Sequence, residues 1–170
     1  VGAVDAYSKL FHPLLFDAIT VEGPDCFHCP YHKKRQTCDA PCFAAAEKAL
    51  AQYGRNTAAF IVEPLLQGAA GMRIYSPVYL QKLRQACSAY GVHLIADEIA
   101  SGFGRTGTLF ACEQAGISPD MLCMSKGLTG GYLPMAITVV TEQIHEAFYG
   151  DYDTGRTFMH SHTYSGNPLA

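Results

Sequence analysis

The chain has no surplus of either charge. Twelve basic and fifteen acidic residues give a formal net charge of -3, and the basic residues are scattered rather than gathered into a stripe. That distribution excludes nucleic acid as an expected partner. Apolar runs are short. None approaches the ~18 residues a membrane-spanning helix needs, so no membrane partner is expected. Repeats, low-complexity tracts and a secretory leader are also missing. Charged residues make up only 16% and hydrophobic ones 49%, a balance that excludes disorder and fits a well-buried globular chain.

What is there begins irregularly. Residues 1–41 carry turn signals at Gly23-Pro24 and Cys29-Pro30. From Cys42 the pattern becomes regular. Residues 42–53, "CFAAAEKALAQY", read as a helix with Gly54 as a glycine C-cap. Residues 76–90 read as a second helix, with Ser76 as N-cap, Pro77 in the first turn and Gly91 at the end. Between and after them lie short apolar runs at 58–63, 92–97, 120–125 and 135–140, followed by a helix over about 141–149. Strand and helix alternate, and the strands read as continuous apolar runs. The pattern predicts an α/β fold with a mostly parallel sheet sandwiched by helices. Such sheets bind ligands outside the carboxyl ends of their strands. Glu63, Asp97, Glu98, Ser125 and Lys126 fall at those ends.

The cysteines divide into two groups. Cys87, Cys112 and Cys123 sit singly in apolar surroundings and read as small core residues. Cys26, Cys29, Cys38 and Cys42 cluster, with His28 and His32 among them. Four thiolates can close a tetrahedral zinc site, which gives the alternative of a zinc-binding or interaction module. The eight-residue spacing between the pairs departs from a finger or ribbon, and Pro30 and Pro41 stiffen the loop. Reduced thiols in a loop are therefore the expected state, with no metal.

Lys126 follows the strand "DMLCMS" and precedes Gly127, Gly130 and Gly131, so it is expected at a buried, partly desolvated strand end. Burial disfavours the ammonium form, and only the free amine is a nucleophile. Asp97 ends "HLIAD" before the glycine-rich "EIASGFGRTG". It reads either as a cap for a nearby turn or as a partner for a cationic ring nitrogen. An amine and a carboxylate together suit pyridoxal phosphate, whose aldehyde takes the amine and whose pyridine nitrogen takes the carboxylate.

Four stretches in order, "IVEPLLQGAAGM", "LIADEIASGFGRTG", "PDMLCMSKGLTGGYLPMA" and "HTYSGNPLA", resemble the class III aminotransferases of the fold-type I pyridoxal-phosphate enzymes. The resemblance runs from about Ala58 to the end of the chain. It implies pyridoxal 5'-phosphate as cofactor, Lys126 as the lysine that binds it and Asp97 as the partner of its ring nitrogen. Ile99, where the family usually has valine, would pack on the ring. Thr163 would reach the cofactor phosphate of a neighbouring subunit, which implies a homodimer with shared active sites. Gly131, Tyr132 and His162 would border the substrate. Glu63 and Gln67 fall in the family's "EPxxQG" region and read equally well as capping and loop-shaping residues. Arg105 reads as a structural or interface arginine, and His160 as a loop residue.

Within the class, "EAFYGDY", "TFMHSHTYSGNPLA" and "CFHCP" resemble the biotin-synthesis branch. That branch implies transfer of an amino group from adenosylmethionine, or in some relatives lysine, to 8-amino-7-oxononanoate in the cytoplasm. Ala69 follows Gly68 where many ω-aminotransferases of the class carry an acid, which favours the biotin branch over glutamate-type donors. The resemblance also implies an upstream glycine–serine phosphate loop, an aromatic stacking on the cofactor, and a C-terminal arginine with a small domain. These are not among the 170 residues, so the chain is expected to be a fragment of one large domain, inactive alone.

Overall fold

The computed structural model describes residues 4–169; Val1, Gly2 and Ala3 of the leading segment and Ala170 of the last motif lie outside the described residues. The leading segment is not wholly irregular. It holds a short helix α1 (Asp5–Ser8), continued by a 3-10 turn over Lys9–Leu14, and a second 3-10 turn at Arg35–Thr37.

Four strands form the main sheet: β1 (Ala59–Val62), β4 (His93–Asp97), β5 (Met121–Met124) and β6 (Ile137–Val140), in the order β1-β4-β5-β6. β1 and β5 each run parallel to β4, whereas β6 is antiparallel to β5. The expected mostly parallel α/β sheet is present. A small antiparallel pair, β2 (Leu66–Gln67) with β3 (Arg73–Ile74), lies between β1 and the following helix.

Helix α3 (Pro77–Tyr90) forms as its caps predict. The Ser76 hydroxyl accepts from the Val78 N–H at 3.4 Å, and Gly91 takes φ 68°, where a side chain would be strained. Helix α2 (Ala44–Tyr53) differs at its end. Gly54 has φ -52° and continues into a 3-10 turn, so it is no left-handed cap. Its small size serves packing instead, because a Cβ there would stand 3.2 Å from the Tyr90 Cβ. The remaining helices are α4 (Cys112–Ala115) and α5 (Glu142–Phe148).

The core lies between α2, α3 and one face of the sheet. Ala46, Leu50, Leu80, Leu83, Cys87 and Leu94 are all fully buried there. Each large aliphatic side chain contributes about 1.5–3 kcal/mol. Asp120 fastens the layers: its carboxylate accepts from the Leu94 N–H at 2.7 Å and from Arg84 at 2.6 Å. Burial raises its pKa, but those two donors outweigh that and hold the carboxyl below its ordinary range.

The other face of the sheet carries less of the core within this chain. Among the described residues no helix packs there as α3 does on the first face. Ile61 and Val140 remain exposed, and Ile95, Asp97, Met121 and Cys123 are only half-buried. The period of two along each strand puts this whole set on one face.

Candidate active site

Three strand ends converge because β1, β4 and β5 run parallel. Val62 pairs with Ala96, and Asp97 pairs with Cys123, so Glu63, Asp97 and Lys126 leave the sheet at one edge. Asp97 lies on the open face, where its Oδ1 accepts from the Ile99 N–H at 3.1 Å. The capping role open to it in the sequence is therefore present. The same carboxylate stays half-exposed.

Lys126 is exposed, not buried, which corrects the sequence expectation. The reason is local. Met124 is the last residue of β5 in the core, and the chain then climbs out through a 3-10 turn, Lys126–Leu128, tied by the Leu128 N–H to Ser125 O at 2.9 Å. Lys126 itself takes φ 39°, a left-handed conformation uncommon for a residue with a side chain. Backbone strain of this kind concentrates at functional sites.

Lys126 borders a cavity of about 360 Å³ with Glu63, Leu66, Gly68, Ala69, Met72, Ala100 and Arg105. Glu63 caps the loop that follows it and also faces the cavity. Its carboxylate accepts from the Gly68 N–H, and its backbone oxygen accepts from the buried Tyr75 hydroxyl at 2.7 Å. Gln67 is a loop-shaping residue: its amide donates to Pro24 O at 2.7 Å. Arg105, read from sequence as structural, also lines the cavity. Met72 and Ala100 were not singled out in sequence, where nothing distinguishes an apolar wall from core.

The other expected residues stand apart from this cavity. Ile99 is half-buried beside Asp97; Gly131 has φ 86° and Tyr132 is exposed in the loop beyond the lysine. Thr163 lies in an exposed segment, and so does His162, whose Nδ1 accepts from the Tyr164 N–H at 3.1 Å and so shapes a turn. His160 stacks on Phe158 in the same segment.

Glu98 is the residue whose importance sequence reasoning underrated. It is fully buried, and its carboxylate accepts from the Ser101 hydroxyl at 3.1 Å and from the Ala111 and Cys112 N–H groups at 2.8 Å each. A neighbouring Asp-Glu pair at a strand end gave no sign of which carboxylate would turn inward.

Among the described residues no group of three His, Cys, Asp or Glu side chains is gathered as a metal ion requires. Burial pushes the Cys42 thiol up to about 11, with Cys38 adding to it, and burial raises Cys26 as well. Neither thiol is poised as a thiolate at neutral pH.

This geometry can be set beside known proteins. The family model described as Aminotransferase class-III matches residues 1–170. The chain belongs to the class-III aminotransferase family. Among curated relatives of this aminotransferase chain, the adenosylmethionine-8-amino-7-oxononanoate aminotransferase of Nitratidesulfovibrio vulgaris is 48% identical over 170 residues, covering 100% of this chain and 31% of that protein. The enzyme of the same name from Methanocaldococcus jannaschii has a crystal structure that matches with a TM-score of 0.79 at 33% identity, over 94% of this chain and 34% of that one. An (S)-enantioselective omega-transaminase from Thermomicrobium roseum matches with a TM-score of 0.80 at 34% identity, over 95% of this chain and 35% of that one. The chain spans about a third of the length of such curated relatives, 31% of one and 42% of another. No described helix is long and apolar enough to cross a membrane.

Proposed function

We propose that this chain is the cofactor-bearing part of the large domain of a pyridoxal-phosphate-dependent aminotransferase, which converts 8-amino-7-oxononanoate to 7,8-diaminononanoate with adenosylmethionine as amino donor. The whole enzyme is a cytoplasmic homodimer. The observation that carries the reading is the 48% identity to a relative of that name, in a chain whose Lys126 and Asp97 leave the sheet at one edge.

The residues suit the cofactor. Lys126 supplies an amine at a cavity of about 360 Å³, within the size range of small-molecule sites. Asp97 supplies a half-exposed carboxylate at the neighbouring strand end. Pyridoxal phosphate, when bound, supplies an electron sink. Asp97 favours the protonated ring nitrogen, because a nearby opposite charge favours the charged form. Lys126 moves a proton away from the substrate Cα as general base and returns it as general acid. Ile99 would pack on the ring, and Thr163 of one subunit would serve the phosphate in the other. Gly131, Tyr132 and His162, which stand apart from the cavity in this chain, would border the substrate in the whole enzyme.

Substrate choice follows from the cavity wall. Leu66, Ala69, Met72 and Ala100 give the wall an apolar part beside the charged Glu63, Arg105 and Lys126, and Ala69 adds no charge to it. A long methylene chain gains about 0.8 kcal/mol per buried methylene on such a wall. The test is a single-turnover assay of the amine-loaded full-length enzyme against a panel of ketones. 8-Amino-7-oxononanoate should react fastest. Faster reaction with pyruvate or succinic semialdehyde overturns the substrate and favours the omega-transaminase reading, which the TM-score of 0.80 to such an enzyme makes the second candidate.

A further inference from the structure

Glu98 is buried at 0% exposure, and no cation pairs with it among the described residues. A buried carboxylate without a cation is costly unless donors surround it. Here they do. Oε2 takes the Ser101 hydroxyl and the Ala111 N–H, and Oε1 takes the Cys112 N–H. Ser101 lies near the start of the glycine-rich loop, residues 99–111, Ala111 at its end and Cys112 at the start of α4. The Gly102 N–H also donates to Glu98 O at 2.9 Å, and a Cβ on Gly102 would stand 2.8 Å from that oxygen.

The loop is thus drawn closed on one side chain, and its Phe103 touches the lysine turn. Phe103 takes φ 59°, and its Cβ lies 2.6 Å from where a Cβ on Gly127 would be. Its ring meets Phe110 edge-on at 5.6 Å, so it cannot swing away without disturbing the loop's other limb. The path runs from Glu98 through the loop to Phe103, then to Gly127 and to Lys126 beside it.

We propose that Glu98 is a positioning residue, which holds the glycine-rich loop in the shape that presses Phe103 on Gly127 and so fixes the turn carrying Lys126. The proposal rests on the reading of Lys126 as the cofactor lysine. Glu98 touches neither cofactor nor substrate. Its charge is what allows two oxygens to take three donors, and a carboxamide has only one acceptor oxygen to offer.

The test compares Glu98→Gln with Leu83→Ala in the full-length protein, Leu83 being a buried core residue on α3 that contributes none of the donors to Glu98. Two readouts are taken: amide exchange at Leu128 and Gly130 without cofactor, and the pH midpoint of the visible band with cofactor bound. Glu98→Gln should speed exchange at both amides at least about tenfold and displace the midpoint, while Leu83→Ala, at a comparable loss of melting temperature, leaves both near the parent. Exchange within about twofold of the parent, an unmoved midpoint, or equal effects from Leu83→Ala overturns the proposal. Should Glu98→Gln not fold, Ser101→Ala removes a single donor and should change both readouts in the same direction to a smaller extent; no change there overturns it too. Lys126→Ala separates the two claims. If that variant keeps the visible band, the lysine assignment fails, while the exchange measurement still reports whether Glu98 orders the turn.

Discussion

Asp97 stands in register with Cys123 across the parallel pair of β4 and β5, so its carboxylate and Lys126, three residues past Cys123, leave the sheet at the same edge. Nothing in the spacing of 97 and 126 along the chain requires this. It follows from two strands running the same way, a geometry that gathers chemically useful side chains where the strands end.

Replacing Lys126 with alanine in the full-length protein should abolish the visible band of the bound cofactor and lower activity at least about 10²–10⁴-fold. Borohydride reduction followed by peptide mapping checks it. A label elsewhere than Lys126 in the parent protein refutes the assignment.

Asp97→Asn should keep the cofactor, since an amide oxygen can still accept from the Ile99 N–H. It cannot stabilise a protonated ring nitrogen by charge. The barrier should rise by more than ~4 kcal/mol, or roughly three powers of ten in kcat. A variant within tenfold of the parent removes the ion-pair role.

Gly127→Ala forces a methyl against the Phe103 side chain. Overpacking of this sort costs about 1–3 kcal/mol. The loss should appear as a lower melting temperature and weaker cofactor retention, measured by dialysis and absorbance. Pairing it with Phe103→Gly should recover part of both, because the Phe103 Cβ, at 2.6 Å the nearest atom to the new methyl, is then gone.

Asp120 carries a pH dependence with a definite sign. Its carboxyl is held below the ordinary value of about 3.9 in the folded chain, so its contribution is complete above that value and is lost as pH falls through the folded one. Asp120→Asn should lose about 1–3 kcal/mol at pH 7, where the Leu94 N–H and Arg84 lose their charged acceptor. Urea titrations at pH 7 and in the acid limb check it: the gap between variant and parent should narrow as the parent's Asp120 protonates.

The sequence by itself determined the alternation of strand and helix, the caps Ser76 and Gly91, and the positions of Glu63, Asp97 and Lys126 at strand ends. These are local matters. Capping, β-branched runs and glycine punctuation act over a few residues, so they can be read along the chain. Only the tertiary structure decided the rest. It set the strand order, turned β6 antiparallel and carried Lys126 onto an exposed 3-10 turn. It also turned Glu98 rather than Asp97 into the core and brought Phe103 onto Gly127. Each of these depends on contacts between residues far apart in sequence, and no local propensity carries information about which distant neighbour a side chain will meet.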